Sequence, residues 1–106
     1  MRFKIAILQK RALNAQIDKN VDSIIVAIRE ASENMADILL LPECFITGYD
    51  LPMTYEKSIS DDDASITKIC ETAKEYQIGV VLTSFTKGTN NRRTLHLLSI
   101  DQAKYC

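Results

Sequence analysis

An α/β layered domain joined by right-handed crossovers is what this sequence predicts, and three observations carry the prediction. Apolar runs at residues 3–9, 38–41, 78–85 and 94–100 have the length of strands. The stretches 21–35 and 61–76 place apolar residues at helical spacing. The two kinds of segment follow one another as strand, helix, strand, loop, helix, strand, strand, the order of a crossover-connected sheet.

The first strand has Phe3, Ile5 and Ile7 on one side and Ala6 and Leu8 on the other, so a packed layer is expected above it and another below. The period then changes: Val21, Ile24, Ile25, Ile28, Ala31 and Met35 fall on one helical stripe, with Asp18 or Asn20 able to cap its start. The second apolar run stops at Pro42, which has no N–H for a sheet ladder and biases Leu41 toward an extended backbone. Residues 44–60 carry Gly48, Pro52 and polar residues without period, and read as a long loop of the kind that serves function when ordered. Asp61, Asp62 and Asp63 suit the positive end of a second helix, whose buried stripe is Ile66, Ile69, Cys70, Ala73 and Tyr76. A β-branched strand over 78–85, a turn around Gly88 and a last strand over 94–100 complete the chain and can form a hairpin.

At 106 residues there is room for one core, and 46% apolar with 25% charged residues is the composition of an ordinary globular domain. Thirteen Lys and Arg against fourteen Asp and Glu leave a net charge of -1, which gives a polyanion no footprint, so nucleic acid is not an expected partner. No run approaches the roughly 20 apolar residues of a membrane span, and 3–8 is too short and too interrupted for a signal peptide core. Cys44, Cys70 and Cys106 are odd in number and widely spaced, which suggests neither a disulfide framework nor a zinc site and fits a reducing cytoplasm. No metal or cofactor is called for by any motif.

Glu43 stands directly after a buried strand, at the edge where open α/β sheets gather their ligand-binding groups. A solvated loop glutamate is the ordinary reading of such a position. The continuous run from Ala36 through Leu41-Pro42-Glu43-Cys44-Phe45 to Gly48-Tyr49 changes that reading, because it resembles the first signature of the nitrilase superfamily of carbon-nitrogen hydrolases. The opening strand ending in Gln9, Asn20 at the head of the first helix and the strand at 78–84 continue the resemblance in order, over about residues 3 to 101.

The resemblance implies a four-layer α-β-β-α sandwich, of which residues 1–106 would be the N-terminal portion, a partial domain. It also implies a Glu-Lys-Cys triad that cleaves non-peptide carbon-nitrogen bonds through a thioester, with Glu43 as the catalytic Glu. A thiol needs a nearby base to become a nucleophile, and the oxyanion it creates needs a cation or N–H donors. The family's Lys lies in a segment that this chain does not reach, and Lys104 lacks the residues that flank it. The nucleophile belongs to a later strand-to-turn elbow: Cys44 adjoins the Glu instead, Cys70 falls on a buried helical stripe, and Cys106 is the last residue. His96, in the middle of a strand pattern, is assigned no role.

The expected activity of the complete enzyme is hydrolysis of a small amide, carbamoyl compound or nitrile, by an assembly expected to be a homo-oligomer, while the 106 residues alone are expected to be inactive. Two alternatives stay open: a catalytically silent remnant serving as a subunit-contact module, and an unrelated α/β small-molecule binding domain.

Overall fold

The structure, a computed structural model, describes residues 3–13, 16–48, 59–60, 63–87 and 93–100, with the side chains of 85–87 and 93–100 excepted. Four strands and two helices are present among them: β1 (Ile5–Ile7), α1 (Ile17–Glu33), β2 (Ile38–Leu40), α2 (Ala64–Glu75), β3 (Gly79–Lys87) and β4 (Arg93–Ile100). The strands form one sheet in the order β1-β2-β3-β4, parallel across the first three and antiparallel between β3 and β4. Both parallel connections are strand, helix, strand units, as the alternating periods require.

Among the described residues, both helices pack on the same face of the sheet. Leu39, Val80 and Leu82 are buried with Ile24, Ile28, Ile66, Ile69 and Ala73, so α1 and α2 share one side of the sheet and make a single core with it. In register with Ala6, Leu39 and Val80 on the covered face, the neighbouring triplet Ile7, Leu40 and Val81 faces the other way. The expectation of two covered faces fails at β1, where Phe3, Ile5 and Ile7 are 62%, 52% and 65% exposed. The strand is an edge with a layer on one side of it, half of what its sequence is built for.

Both helices end with the same device. Met35 and Gln77 take φ values of 62° and 54°, and the next residue returns a hydrogen bond to the helix, Ala36 N to Ala31 O and Ile78 N to Ala73 O, each at 2.9 to 3.0 Å. Each reversal delivers the chain straight into a parallel strand. It also corrects the assignment of Met35 to the buried stripe: α1 stops at Glu33, and Met35 is 82% exposed.

The helix starts differ from each other. Asp63 caps α2, its carboxylate accepting from Ser65 N at 2.9 Å, as a carboxylate at the positive end of a helix should; Asp61 and Asp62 lie outside the described residues. At α1 the N-cap is Gln16, without a side-chain bond, so neither Asp18 nor Asn20 caps. Asp18 sits in the first turn, and Asn20, 1% exposed, is a buried residue within the helix. Cys70 lies on the buried stripe of α2 and is disulfide-bonded, which departs from the expectation of no bridge.

Ser84 pairs with His96 across β3 and β4, and the antiparallel pairing runs out to Lys87 and Arg93, so the expected hairpin partners are correct. The turn near Gly88, like Lys104 and Cys106, lies outside the described residues. Among the described residues no helix is long and apolar enough to cross a membrane, and no group of three acidic, His or Cys side chains could hold a metal ion.

Candidate active site

Because β1, β2 and β3 run parallel, their carboxyl ends share one edge of the sheet. The β2 ladder continues one residue past the strand, Leu41 N donating to Val81 O at 3.1 Å, and then meets Pro42, which can donate nothing. Glu43 is therefore the first residue free to leave the sheet. It begins a tight turn over residues 43–47, with β1 and β3 on either side of the strand that delivers it. Its side chain is exposed, and it is not among the residues lining the groove between β1 and α1, which include Lys4, Leu8, Ala27, Glu30 and Leu39.

The turn after Glu43 is buried and tied down. Cys44, Phe45 and Ile46 are all fully buried, and Thr47 nearly so. Gly48 N closes the turn on Cys44 O at 2.8 Å. From β3, Thr83 Oγ1 accepts from Cys44 N at 2.9 Å. From α1, Asn20 Nδ2 donates to Ile46 O at 2.9 Å and to Leu13 O at 2.6 Å, while its Oδ1 accepts from Leu13 N at 2.8 Å. A single buried amide thus ties the segment before α1 to the turn after β2, using both its donor and its acceptor ends.

Cys44 holds φ at 54°, a left-handed conformation that costs a non-glycine residue about 1–2 kcal/mol. Gly48, at φ 81°, takes a similar conformation without that cost. Burial pushes the Cys44 thiol above the ordinary range; the Thr83 hydroxyl draws it down in part, and the adjacent Glu43 charge pushes it up again. A thiol with these neighbours stays protonated near neutral pH and is a poor nucleophile. Titration of Cys44, followed by alkylation rate against pH, should accordingly move to lower pH in Glu43→Gln, which removes the repelling charge, and to higher pH in Thr83→Val, which removes the hydroxyl.

The structure thus brings Glu43, Cys44, Thr83 and Asn20 to one corner of the sheet. Thr83 and Asn20 were not foreseen in these roles. Thr83 could have been noticed as a hydroxyl inside an otherwise apolar strand run, and Asn20 only by knowing that α1 begins a turn earlier than its apolar stripe.

A parallel sheet with helices on one face and a carboxylate at its carboxyl edge defines the class, an α/β fold that sites its chemistry at strand ends. The chain belongs to the carbon-nitrogen hydrolase family, whose description matches residues 4–103. It is 40% identical over 65 residues to nitrilase homolog 2 of Dictyostelium discoideum, an alignment covering 60% of this chain and 20% of that protein. It is 30% identical over 113 residues to an arylacetonitrilase of Macrophomina phaseolina, covering 95% of this chain and 31% of that one. An amidase from Nesterenkonia sp. superposes with a TM-score of 0.78 at 26% identity, over 94% of this chain and 38% of the amidase. The chain therefore spans less than a third of the two curated relatives and corresponds to the N-terminal part of the nitrilase-superfamily fold.

Proposed function

We propose that this chain supplies the carboxylate of a carbon-nitrogen hydrolase site, with Glu43 as general base and acid and with the Lys and the nucleophilic Cys contributed by segments that follow in the family. The observation that carries the reading is the place of Glu43 in a chain of this family: the first residue off the central parallel strand, exposed, on a turn held from both sides. Cys44 is unsuited to be the nucleophile, being buried and held protonated, so a second cysteine is required.

In the proposed reaction Glu43 takes the proton of that cysteine as its sulfur bonds to the carbonyl carbon of a small amide or carbamoyl compound. The carbon-nitrogen bond then breaks, and the proton passes from Glu43 to the departing amine. Water, deprotonated by the same carboxylate, attacks the thioester, releasing the acid and restoring the thiol. A nitrile would enter through a thioimidate, which adds one water and loses ammonia to reach the same thioester. Amides as the substrate class are supported by the Nesterenkonia sp. AN1 amidase, whose variants have been solved in complex with acrylamide and with butyramide. The exposed Phe3, Ile5 and Ile7 at β1 support the further reading that the complete protein buries this strand within its own fold or in a homo-oligomer.

The reading is tested by presenting acrylamide, butyramide, a carbamoyl amino acid and a nitrile to two proteins. The 106-residue chain should release no burst of ammonia and carry no acyl adduct by intact mass. The product of a coding sequence that continues past residue 106 and carries the Lys and Cys segments should turn over at least one of them. Inactivity of both would favour the silent subunit-contact module, and a burst from the short chain that vanishes with Cys44→Ala, Cys106→Ala or Lys104→Ala would overturn the assignment.

A further inference from the structure

We infer that Asn20 and Thr83 are positioning residues: a two-point clamp that fixes the turn carrying Glu43 and so sets where its carboxylate stands. The inference rests on the reading of Glu43 just given, but its geometry is independent of any reaction. Glu43 is exposed, so no packing of its own side chain can orient it. What can orient it is the backbone on its carboxyl side, and that backbone is held at two places by side chains from two different elements. Thr83, on β3, takes the amide of Cys44, the residue next to Glu43. Asn20, on α1, takes the carbonyl of Ile46, three residues on.

The two contacts are not interchangeable with ordinary core packing. Cys44 is in the left-handed region, from which a non-glycine residue relaxes unless something holds it, and the Thr83 bond is made to that residue's own amide. Asn20 is buried at 1% exposure with both ends of its amide engaged, so it cannot swing away without leaving buried polar groups unpaired. Phe45, between the two pinned residues, is fully buried and belongs to the hydrophobic core. The clamp therefore joins β3 to α1 through the turn, and a shift of either element would be passed to Glu43.

The test uses the 106-residue chain and follows alkylation of Cys44 on its own peptide by mass spectrometry, in native buffer. Thr83→Val should speed alkylation at least tenfold by letting the turn open, although loss of the hydroxyl raises the thiol's titration and would by itself slow the reaction. Thr83→Ser, which keeps the acceptor, should restore the wild-type rate. Asn20→Ala should speed alkylation similarly, whereas Ile69→Ala, which weakens the core away from the turn, should speed it no more than it speeds hydrogen exchange of α2. Positioning itself is read from the effect of Glu43→Gln on the Cys44 titration: the downward move seen in the clamped chain should shrink in the Asn20→Ala background. Alkylation unchanged or slowed in Thr83→Val, failure of Thr83→Ser to restore, or an undiminished Glu43 effect in Asn20→Ala would overturn the clamp. None of these measurements involves turnover, so the clamp can stand where the catalytic assignment of Glu43 falls, and the reverse.

Discussion

Phe45→Ala should unfold this protein or bring it close to unfolding. Among the described residues Phe45 is the largest fully buried side chain, and it belongs to a turn and not to a helix or strand. Truncating a buried Phe removes its transfer free energy and leaves a cavity, together about 3–5 kcal/mol. A whole domain is stable by about 5–15 kcal/mol, and one this short sits toward the low end. Collapse around the missing ring is resisted, because Cys44 and Ile46 on either side are hydrogen-bonded to Thr83 and Asn20. At roughly 4–8 °C per kcal/mol for a domain of this size, the melting temperature should fall by at least ~12 °C. Thermal unfolding monitored by circular dichroism would measure it, and a fall of only a few degrees would mean that the turn is peripheral to the fold.

The isolated chain should also self-associate. Phe3, Ile5 and Ile7 are each more than half exposed, and Ile7 stands in register with Leu40 and Val81 on the face turned away from the helices. Apolar surface left in water forfeits roughly 25 cal/mol for each Å², and contiguous patches of several hundred Å² are rare on monomers. Since β1 is the edge of the sheet, one side of its backbone adds a template for another strand. Sedimentation at tens of micromolar should show species larger than a monomer, with strong binding of a hydrophobic dye. Ile5→Thr combined with Ile7→Thr keeps strand propensity while removing the apolar face, and should move the distribution toward monomer and reduce the dye signal several-fold. A wild-type monomer with a sharp melt and no dye binding would instead indicate a self-sufficient small domain.

These two results bear on how the sequence encodes the molecule. The strands and helices are readable because each has one clear period, and Pro42 marks where β2 must stop. That is enough to put Glu43 at the carboxyl edge of the sheet. The exposure of β1 was not readable, because an all-apolar strand states what it needs on both faces without saying which layers this chain contains. Met35 was misplaced because it continues the apolar spacing of α1 past the left-handed reversal that ends the helix. Asn20 carries the ambiguity of every polar residue near a helix start: one turn of difference in where α1 begins changes it from a cap into a buried tie between two segments. The link from Thr83 to Cys44 joins residues 39 apart and leaves no local signature.

If Glu43 moves the proton in carbon-nitrogen bond hydrolysis, removing its basicity alone should cost most of the activity. In a protein whose coding sequence continues past residue 106 with Lys and Cys segments, as proposed above, Glu43→Gln would keep the size and hydrogen-bonding capacity of the side chain while removing its basicity. General acid–base catalysis by a positioned group contributes about 10²–10⁴-fold, so kcat for acrylamide or butyramide hydrolysis should fall by about that factor, with the melting temperature unchanged. A Glu43→Gln enzyme that keeps its full kcat would show that Glu43 does not move the proton.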